Sequence, residues 1–165
     1  MDKLDMAIER LKMADKMAKD MYQKPLNICY SGGKDSQVLL DVALKAGIEF
    51  TVSHNLTTVD APETIRTIRE TFAYLDDRQI HTEINHPRLN MWQLIVKHRT
   101  PPTRLMRYCC KELKERNNIG SFIATGVRKD ESVRRRSREV VDVLSDKKDE
   151  REGFGDETFL SNDNR

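Results

Sequence analysis

The most informative segment of this 165-residue chain is Leu26-Asn27-Ile28-Cys29-Tyr30-Ser31-Gly32-Gly33-Lys34-Asp35-Ser36. Its first five residues are mostly apolar and lead to a pair of glycines, as is typical of a buried strand in a parallel sheet. The apolar residues from Val38 to Leu44 predict a helix, and Gly47 is suited to close that helix in the left-handed conformation. A strand, a tight loop and a helix therefore follow one another.

The loop between this strand and this helix, Ser31–Ser36, has the composition of an anion-binding loop. Its two glycines allow a sharp turn and the close approach of a ligand, and the unpaired N–H groups at a helix start point toward an anion. Lys34 adds a positive charge, and two serine hydroxyls can donate hydrogen bonds to phosphate oxygens. The spacing differs from that of a P-loop, which indicates another nucleotide class. The alternative is a glycine-rich turn with a surface lysine and aspartate.

Outward from this loop, helices and strands alternate along the chain. An amphipathic helix is predicted over residues 3–22, with Met6, Met13, Met17 and Met21 in the core. Further strands are predicted over 48–53, 79–84 and 121–125, and further helices from Pro62, over 90–98 and over 105–116. Such alternation predicts an α/β fold, a Rossmann-like, doubly wound and mainly parallel sheet with flanking helices.

Composition limits the domain organisation and the partners. The length suits one domain, which we place at residues 1–144, followed by a charged and disordered tail over residues 145–165. Lysine and arginine number 29 against 27 acids, and a net charge of +2 gives no general reason to expect a polyanion. Locally, residues 128–138 hold six basic residues and two acids. This segment is a solvated face, a nucleic-acid contact or a loop over a substrate anion.

The ends of the chain and its cysteines bear on localisation. The first ten residues carry five charges and leave no apolar core for a signal peptide, and no run of apolar residues is long enough to span a membrane. The odd number of cysteines, two of them adjacent, excludes a secreted disulfide scaffold. We therefore expect a cytoplasmic protein without membrane contact.

Four segments of the sequence resemble a known protein family. The loop Ser31–Ser36, SGGKDS, resembles the PP-loop of the adenine nucleotide α-hydrolase superfamily. The segments 55–64, 108–114 and 125–134 together resemble the phosphoadenosine phosphosulfate (PAPS) reductase family, particularly its short phage and prophage members. The resemblance extends from about residue 25 to about residue 140 and implies that family's nucleotide-binding fold. It also implies that Ser31–Ser36 holds the phosphates or the anionic end of a sulfonucleotide.

The resemblance places two more residues, Gly126 and Arg128, in the same crevice. Gly126 ends the last predicted strand, and a guanidinium group such as that of Arg128 can donate two hydrogen bonds to a phosphate or sulfate. A turn followed by a surface arginine is the alternative. Asp60 follows the second strand and could contact magnesium or a ribose hydroxyl, although a carboxylate near a helix start is also an ordinary stabilising feature. The four histidines show no zinc-binding spacing and are assigned to surface or packing.

The cysteines depart from the family pattern. In the resembling family, a pair at the position of Cys109 and Cys110 ligates a four-iron cluster together with a later C-x-x-C, and no later cysteine exists here. A cluster is therefore expected only in a longer chain with additional downstream cysteines. The C-terminal cysteine with which the family's reductases attack the substrate, before a thioredoxin-type partner releases sulfite, is absent as well. The chain thus looks C-terminally truncated, and Cys109 is left as a weak candidate nucleophile.

Three functions remain open. The leading hypothesis is an adenine-nucleotide-binding, PAPS reductase-like domain that acts on phosphoadenylyl sulfate or adenylyl sulfate, with Lys34 as the best candidate for charge stabilisation. The second is an ATP pyrophosphatase that adenylates an acceptor, such as a nucleic acid destined for sulfur modification, with Mg²⁺. The third is a non-catalytic remnant that binds a nucleotide or a nucleic acid.

Overall fold

A computed structural model of the chain describes residues 2–115, 120–127 and 141. Residues Met1–Arg128 form one compact unit, which holds every helix and strand described below. Residues Lys129–Arg165 form a second unit, in which residue 141 is the described position. Three predicted features lie outside the described residues: Arg128, the basic segment over 128–138 and the tail over 145–165.

The elements alternate as the sequence predicts. The chain order is α1 (Lys3–Tyr22), β1 (Leu26–Cys29), α2 (Lys34–Ala46), β2 (Phe50–Asn55), α3 (Pro62–Asp76), β3 (Thr82–Asn85), α4 (Met91–His98), α5 (Tyr108–Cys110), a π-helical turn (Lys111–Glu115) and β4 (Ile123–Thr125). Gly47 closes α2 with a φ of 64°, the left-handed cap that was predicted.

The four strands form one parallel sheet in the order β3-β2-β1-β4. The register pairs Leu26 with Phe50, and Asn27 with Ile123, so β1 has a strand on each side. This architecture confirms the predicted α/β, Rossmann-like fold. The chain leaves β1 toward β2 on one side, whereas β4 joins on the other side, so the carboxyl ends of β1 and β4 flank the point at which the strand order reverses. Ligands of such sheets bind there.

Apolar side chains from the sheet and three helices form the core. Its fully buried members include Leu26, Ile28 and Val52 in the sheet, Leu40 and Ala43 in α2, Ile68 and Leu75 in α3, and Ala18 in α1. Burying one such leucine or isoleucine stabilises the fold by roughly 1.5–3 kcal/mol. The central strand is therefore held firmly, and the loop that follows it begins from a fixed point.

Two predictions about α1 and β2 require correction. Met13 and Met21 are exposed, and Met6 and Met17 are only half-buried, because the inward face of α1 is occupied by Leu11 and Ala18. The second strand begins and ends two residues later than the predicted 48–53. Its extension into polar residues follows from pairing with β3, in which Asn55 lies opposite Asn85 and the two side chains share a 2.9 Å hydrogen bond.

The predicted helix over 105–116 is also different. It begins at Tyr108, because Thr103 and Met106 close a turn in which each backbone N–H group donates to an oxygen of the other residue. From Lys111 the described helix continues as a π-helical turn. Helical periodicity alone does not distinguish this wider turn from an α-helix.

Among the helices that the structure describes, none combines the length and the apolar character needed to cross a membrane.

Candidate functional site

The two glycines of the Ser31–Ser36 loop have different tasks. Gly32 has a φ of +74°, and a Cβ atom there would lie 3.1 Å from Thr64 Cγ2 of α3. Both the left-handed backbone and the tight packing thus require glycine. Gly33 has an ordinary φ of −88°, and a Cβ atom there would meet nothing closer than Ser31 Oγ at 3.5 Å. The fold does not require glycine at residue 33, so this position leaves space beside the backbone.

Ser36 fixes the shape of the loop. Its side chain is buried, and its hydroxyl donates to the Gly33 carbonyl oxygen at 2.8 Å. The Ser36 hydroxyl oxygen also accepts from the Ser31 backbone N–H at 3.2 Å and lies 3.1 Å from the Ser31 hydroxyl oxygen. Because the single Ser36 proton is used within the loop, Ser36 holds the turn closed around its own helix start. Direct donation from Ser36 to a phosphate stays a prediction.

The backbone at the start of α2 is open to a ligand. Gly33 is the N-cap residue, and no side chain of the described residues caps the helix. The N–H groups of Gly32, Gly33 and Lys34 donate to no residue that the structure describes. Lys34 is exposed, and its ammonium group forms no ion pair with the described carboxylates. Three amides, a helix dipole and an ammonium group therefore present positive charge at the carboxyl end of β1.

The structure brings Gly126 against this loop. A Cβ atom on Gly126 would lie 2.7 Å from the Asp35 carbonyl oxygen and 3.2 Å from the Ser36 nitrogen. The backbone after β4 therefore lies directly beside the first turn of α2, and only glycine permits that approach. Arg128, two residues further, lies outside the described residues. The six loop residues and Gly126 thus form one crevice edge, and their role in binding stays a prediction.

The loop after β2 lies at the same edge of the sheet as the Ser31–Ser36 loop, at the carboxyl ends of the strands. One carboxylate oxygen of Asp60 accepts from the Thr57 backbone N–H at 2.7 Å, so Asp60 shapes its own loop. Thr58, which has a φ of 65°, accepts at its hydroxyl from the Met91 N–H at the start of α4. A contact of Asp60 with magnesium or ribose is not tested by this geometry.

His54 is a residue that the sequence interpretation underestimated. It is 4% exposed and lies near the carboxyl end of β2. Its Nδ1 atom donates to the Tyr30 carbonyl oxygen at 2.9 Å, at the point where β1 enters the loop. Its Nε2 atom is buried and has no hydrogen-bond partner among the described residues. Its place in an apolar strand was the available signal, because a histidine there must be buried and must find a polar partner.

The cysteine pair lies in a different environment from the loop. The Arg107 guanidinium lies 3.5 Å from Cys110 Sγ. Burial, together with the neighbouring Cys110, raises the pKa of the Cys109 thiol. The described residues contain no group of three or more histidine, cysteine or acidic side chains that could hold a metal ion. Two thiols do not complete a four-iron site, so the described part of the chain does not fit that cluster.

A second concavity lies between α2 and α3. This groove of about 380 Å³ is lined by residues that include Asp41, Glu70 and Tyr74. Two carboxylates make it a poor site for a phosphate, and none of its lining residues belongs to the loop. The Ser31–Ser36 edge therefore remains the candidate nucleotide site.

Comparison with known proteins assigns the chain to a family. No curated protein sequence matches the chain. The sequence profile of the phosphoadenosine phosphosulfate reductase domain matches residues 25–152, which covers β1, the loop and every described element after them. Because the match spans more than half of the chain, this protein belongs to the phosphoadenosine phosphosulfate reductase domain family.

Proposed function

We propose that this domain binds phosphoadenylyl sulfate or adenylyl sulfate with the anionic end of the nucleotide in the Ser31–Ser36 loop. Membership of the family implies a nucleotide-binding function related to sulfonucleotides. Our proposal adds the orientation of the nucleotide and the residues that hold it. In this account Gly33 allows the phosphate to approach, the amides of residues 32–34 donate to it, and Lys34 neutralises its charge.

One observation carries the proposal: the amides of Gly32, Gly33 and Lys34 are unpaired among the described residues, although the loop around them is fully organised. Unpaired N–H groups are costly unless water or a ligand satisfies them. Because Ser36 holds the loop from within, the amides need no rearrangement before an anion binds. A preorganised site of this kind loses little free energy to ordering.

Chemistry on the bound nucleotide follows from the class of ligand. Attack of a thiolate on the sulfur would break its bond to the nucleotide phosphate, which would leave as the adenosine phosphate. A thioredoxin-type dithiol would then release sulfite from the thiol and become a disulfide, which accounts for the two electrons of the reduction. The Cys109 thiol is poorly suited to attack the sulfur at neutral pH, because its raised pKa leaves it protonated. The Arg107 guanidinium donates to Cys110 Sγ at 3.5 Å, so we name Cys110 as the member of the pair with a cationic neighbour and as the first nucleophile to test.

A second candidate is an adenylating ATP pyrophosphatase, whose reaction needs no thiolate and is therefore not impeded by the raised pKa of Cys109. The same loop would stabilise the departing pyrophosphate, with Mg²⁺ supplying further positive charge. Incubation with each nucleotide distinguishes the two functions. Release of sulfite with a dithiol reductant supports the first, whereas release of pyrophosphate from ATP supports the second.

Calorimetric titration tests nucleotide binding itself. Phosphoadenylyl sulfate, adenylyl sulfate and ATP are titrated into the wild-type chain, into Lys34→Ala and into Lys45→Ala, which removes an exposed lysine from the other end of α2. We expect Lys34→Ala to weaken the preferred nucleotide about tenfold, as for the loss of one hydrogen bond to a charged group. Lys45→Ala should bind as wild type. An equal loss of nucleotide affinity in both variants, or no loss in either, would place the phosphates elsewhere.

A further inference from the structure

The stretch from Ile84 to Lys111 contains no acidic residue. Acids make up 27 of the 165 residues, so a stretch of this length would ordinarily hold four or five. Six basic residues lie within it: Arg88, Lys97, Arg99, Arg104, Arg107 and Lys111. The near-neutral total charge does not reveal this local excess of basic residues. The excess extends from Arg88, just before α4, to Lys111 at the start of the π-helical turn.

Helix α4 presents large apolar side chains to solvent. Its inward residue, Leu94, is fully buried. Trp92 and Val96 lie one turn apart on the other side of the helix and are 68% and 77% exposed. A helix on a globular protein ordinarily keeps its apolar residues on the buried face. The indole ring of Trp92 is therefore available for contact with a ligand.

The loop over residues 99–107 is fastened to the end of α4. The rings of His98 and Tyr108 stack at 4.0 Å, and the Tyr108 hydroxyl donates to the Thr100 carbonyl oxygen at 2.6 Å. This contact closes the base of the loop and leaves Arg104 and Leu105 outside, where Leu105 is 96% exposed. Helix and loop thus form one folded surface, which we call the α4 surface and define as residues 88–107.

Four cations of the α4 surface are without an ion-pair partner in the described part of the chain. Arg88, Lys97, Arg99 and Arg104 are exposed and form no ion pair with any carboxylate that the structure describes. Three of these four are arginines, whose planar groups donate two hydrogen bonds at once to a phosphate and also stack on bases. The surface is therefore complementary in charge to a phosphate backbone.

The α4 surface is anchored at the carboxyl edge of the sheet. At its beginning, the Met91 N–H donates to Thr58 in the loop after β2 at 2.9 Å. Beyond its end, Asn55 at the end of β2 donates to the Lys114 carbonyl oxygen at 2.8 Å. This is the edge at which the Ser31–Ser36 loop lies, one strand away.

We propose that the α4 surface binds a single-stranded nucleic acid, with a base stacked on Trp92 and the adjacent phosphates on Arg88, Lys97, Arg99 and Arg104. An exposed aromatic ring beside a row of cations is how proteins bind single strands, since unpaired bases offer a face for stacking. A membrane surface fits less well, because the principal apolar face of α4, around Leu94, is packed inside the protein. The inference goes beyond the proposed nucleotide function and does not depend on it.

The chain provides its own reporter for this interaction. Trp92 is the only tryptophan, so its fluorescence reports on stacking at this surface alone. Titration of the full chain with an oligothymidylate at low salt should quench that fluorescence. Contacts to about four phosphates of a single strand predict a slope of roughly −3 for the logarithm of the binding constant against the logarithm of the salt concentration. A duplex of equal charge should quench less, because its bases are already stacked.

Variants localise the binding, which is measured by anisotropy of a labelled oligothymidylate. Arg99→Gln with Arg104→Gln should weaken it about tenfold or more, and Trp92→Ala should weaken it about tenfold, whereas Trp92→Phe should retain most of it. Lys16→Gln with Lys45→Gln is the matched control, since it removes two exposed cations from α1 and α2. Circular dichroism verifies that each variant is folded.

Three results would overturn the proposal. The first is the absence of binding at low salt. The second is binding that leaves Trp92 fluorescence unchanged and whose affinity is lowered as much by the control substitutions as by Arg99→Gln with Arg104→Gln. The third is quenching by anionic phospholipid vesicles that the oligonucleotide cannot reverse. Nucleotide calorimetry on the same proteins is a separate measurement, so failure of one proposal leaves the other standing.

Discussion

At the scale of single residues, each glycine beside the candidate site has its own physical reason. Gly32 supplies a left-handed turn and close packing on α3, and Gly126 admits the backbone of Asp35. Gly33 has neither a left-handed backbone nor a close neighbour, so we infer that its lack of a side chain allows the ligand to approach the backbone. The sequence predicted that a glycine pair would form the loop, but the separate tasks depend on neighbours in α3 and β4 that are distant along the chain.

The glycine pair gives a discriminating prediction. Gly33→Ala should change the free energy of unfolding by less than about 1 kcal/mol, because its backbone and surroundings accept a methyl group. It should weaken nucleotide binding about tenfold or more, because the methyl group lies where the phosphate approaches. Gly32→Ala should instead lower stability, by roughly 1–3 kcal/mol. Urea unfolding and calorimetry measure the two effects, and unaltered affinity in Gly33→Ala would contradict this assignment.

Gly126→Ala should behave as a structural variant. Its Cβ atom would lie 2.7 Å from a backbone oxygen that cannot move without shifting the start of α2. We expect a loss of roughly 1–3 kcal/mol in unfolding free energy, together with weaker nucleotide binding. Gly47→Ala at the end of α2 is an informative comparison, since it meets no neighbour within 4 Å but carries a φ of +64°. It should lower stability without lowering nucleotide affinity in the folded protein.

The raised pKa of Cys109 predicts a difference in alkylation rate. Because only the thiolate reacts, Cys109 should react with iodoacetamide more slowly in the native chain than in urea at neutral pH. As the pH rises, the rate in urea should level off first, and the native rate should continue to rise through the higher folded pKa. Peptide mass spectrometry measures both rates, and identical pH profiles would show that the fold leaves this thiol unchanged.

At the scale of elements, local signals predicted most starts and ends of helices. Asn90 caps α4 by accepting from the Gln93 N–H at 2.8 Å, while the Gln93 side chain accepts from the Asn90 N–H at 2.9 Å. Pro62 opens α3 as the first helical residue. The ends of β2 and the π-helical turn were not predictable in the same way. They depend on pairing with β3 and on the bond from Asn55 to the Lys114 carbonyl, which join distant parts of the chain.

The cap of α4 can be tested by Asn90→Ala. Removal of the side-chain acceptor should cost about 1 kcal/mol of unfolding free energy and increase fraying of the first turn of the helix. Trp92 lies in that turn, so its indole ring should become more accessible to acrylamide, which should quench its fluorescence more strongly. Asn90→Ser, which retains a capping oxygen, should behave nearly as wild type. Equal quenching in the alanine and serine variants would contradict the capping account.

At the scale of the whole molecule, the alternation of strands and helices predicted the parallel sheet, and the position of the loop at the carboxyl end of the central strand follows from it. The juxtaposition of Gly126 with Asp35 required knowledge that β4 pairs with β1, which no local pattern in the sequence contains. The burial of His54 against the end of β1 has the same origin. Tertiary pairing therefore completes a site whose main residues were recognisable beforehand.

Nucleotide binding should stabilise the entire described unit. A ligand that binds only the folded state, at about a hundred times its dissociation constant, adds about 2.7 kcal/mol to the free energy of unfolding. For a domain of this size, that corresponds to a rise in melting temperature of roughly 5–10 °C. The rise should be much smaller for Gly33→Ala and Lys34→Ala at the same nucleotide concentration. An equal rise in all three proteins would indicate a site away from the loop.

The most direct test of the central claim is the response of individual backbone amides to phosphoadenylyl sulfate in a ¹⁵N-resolved nuclear magnetic resonance titration. We expect the amide signals of Gly32, Gly33 and Lys34 to shift together and saturate, while those of Gly47 and Gly120 stay in place. Stationary signals for Gly32, Gly33 and Lys34 in the presence of bound nucleotide would contradict it.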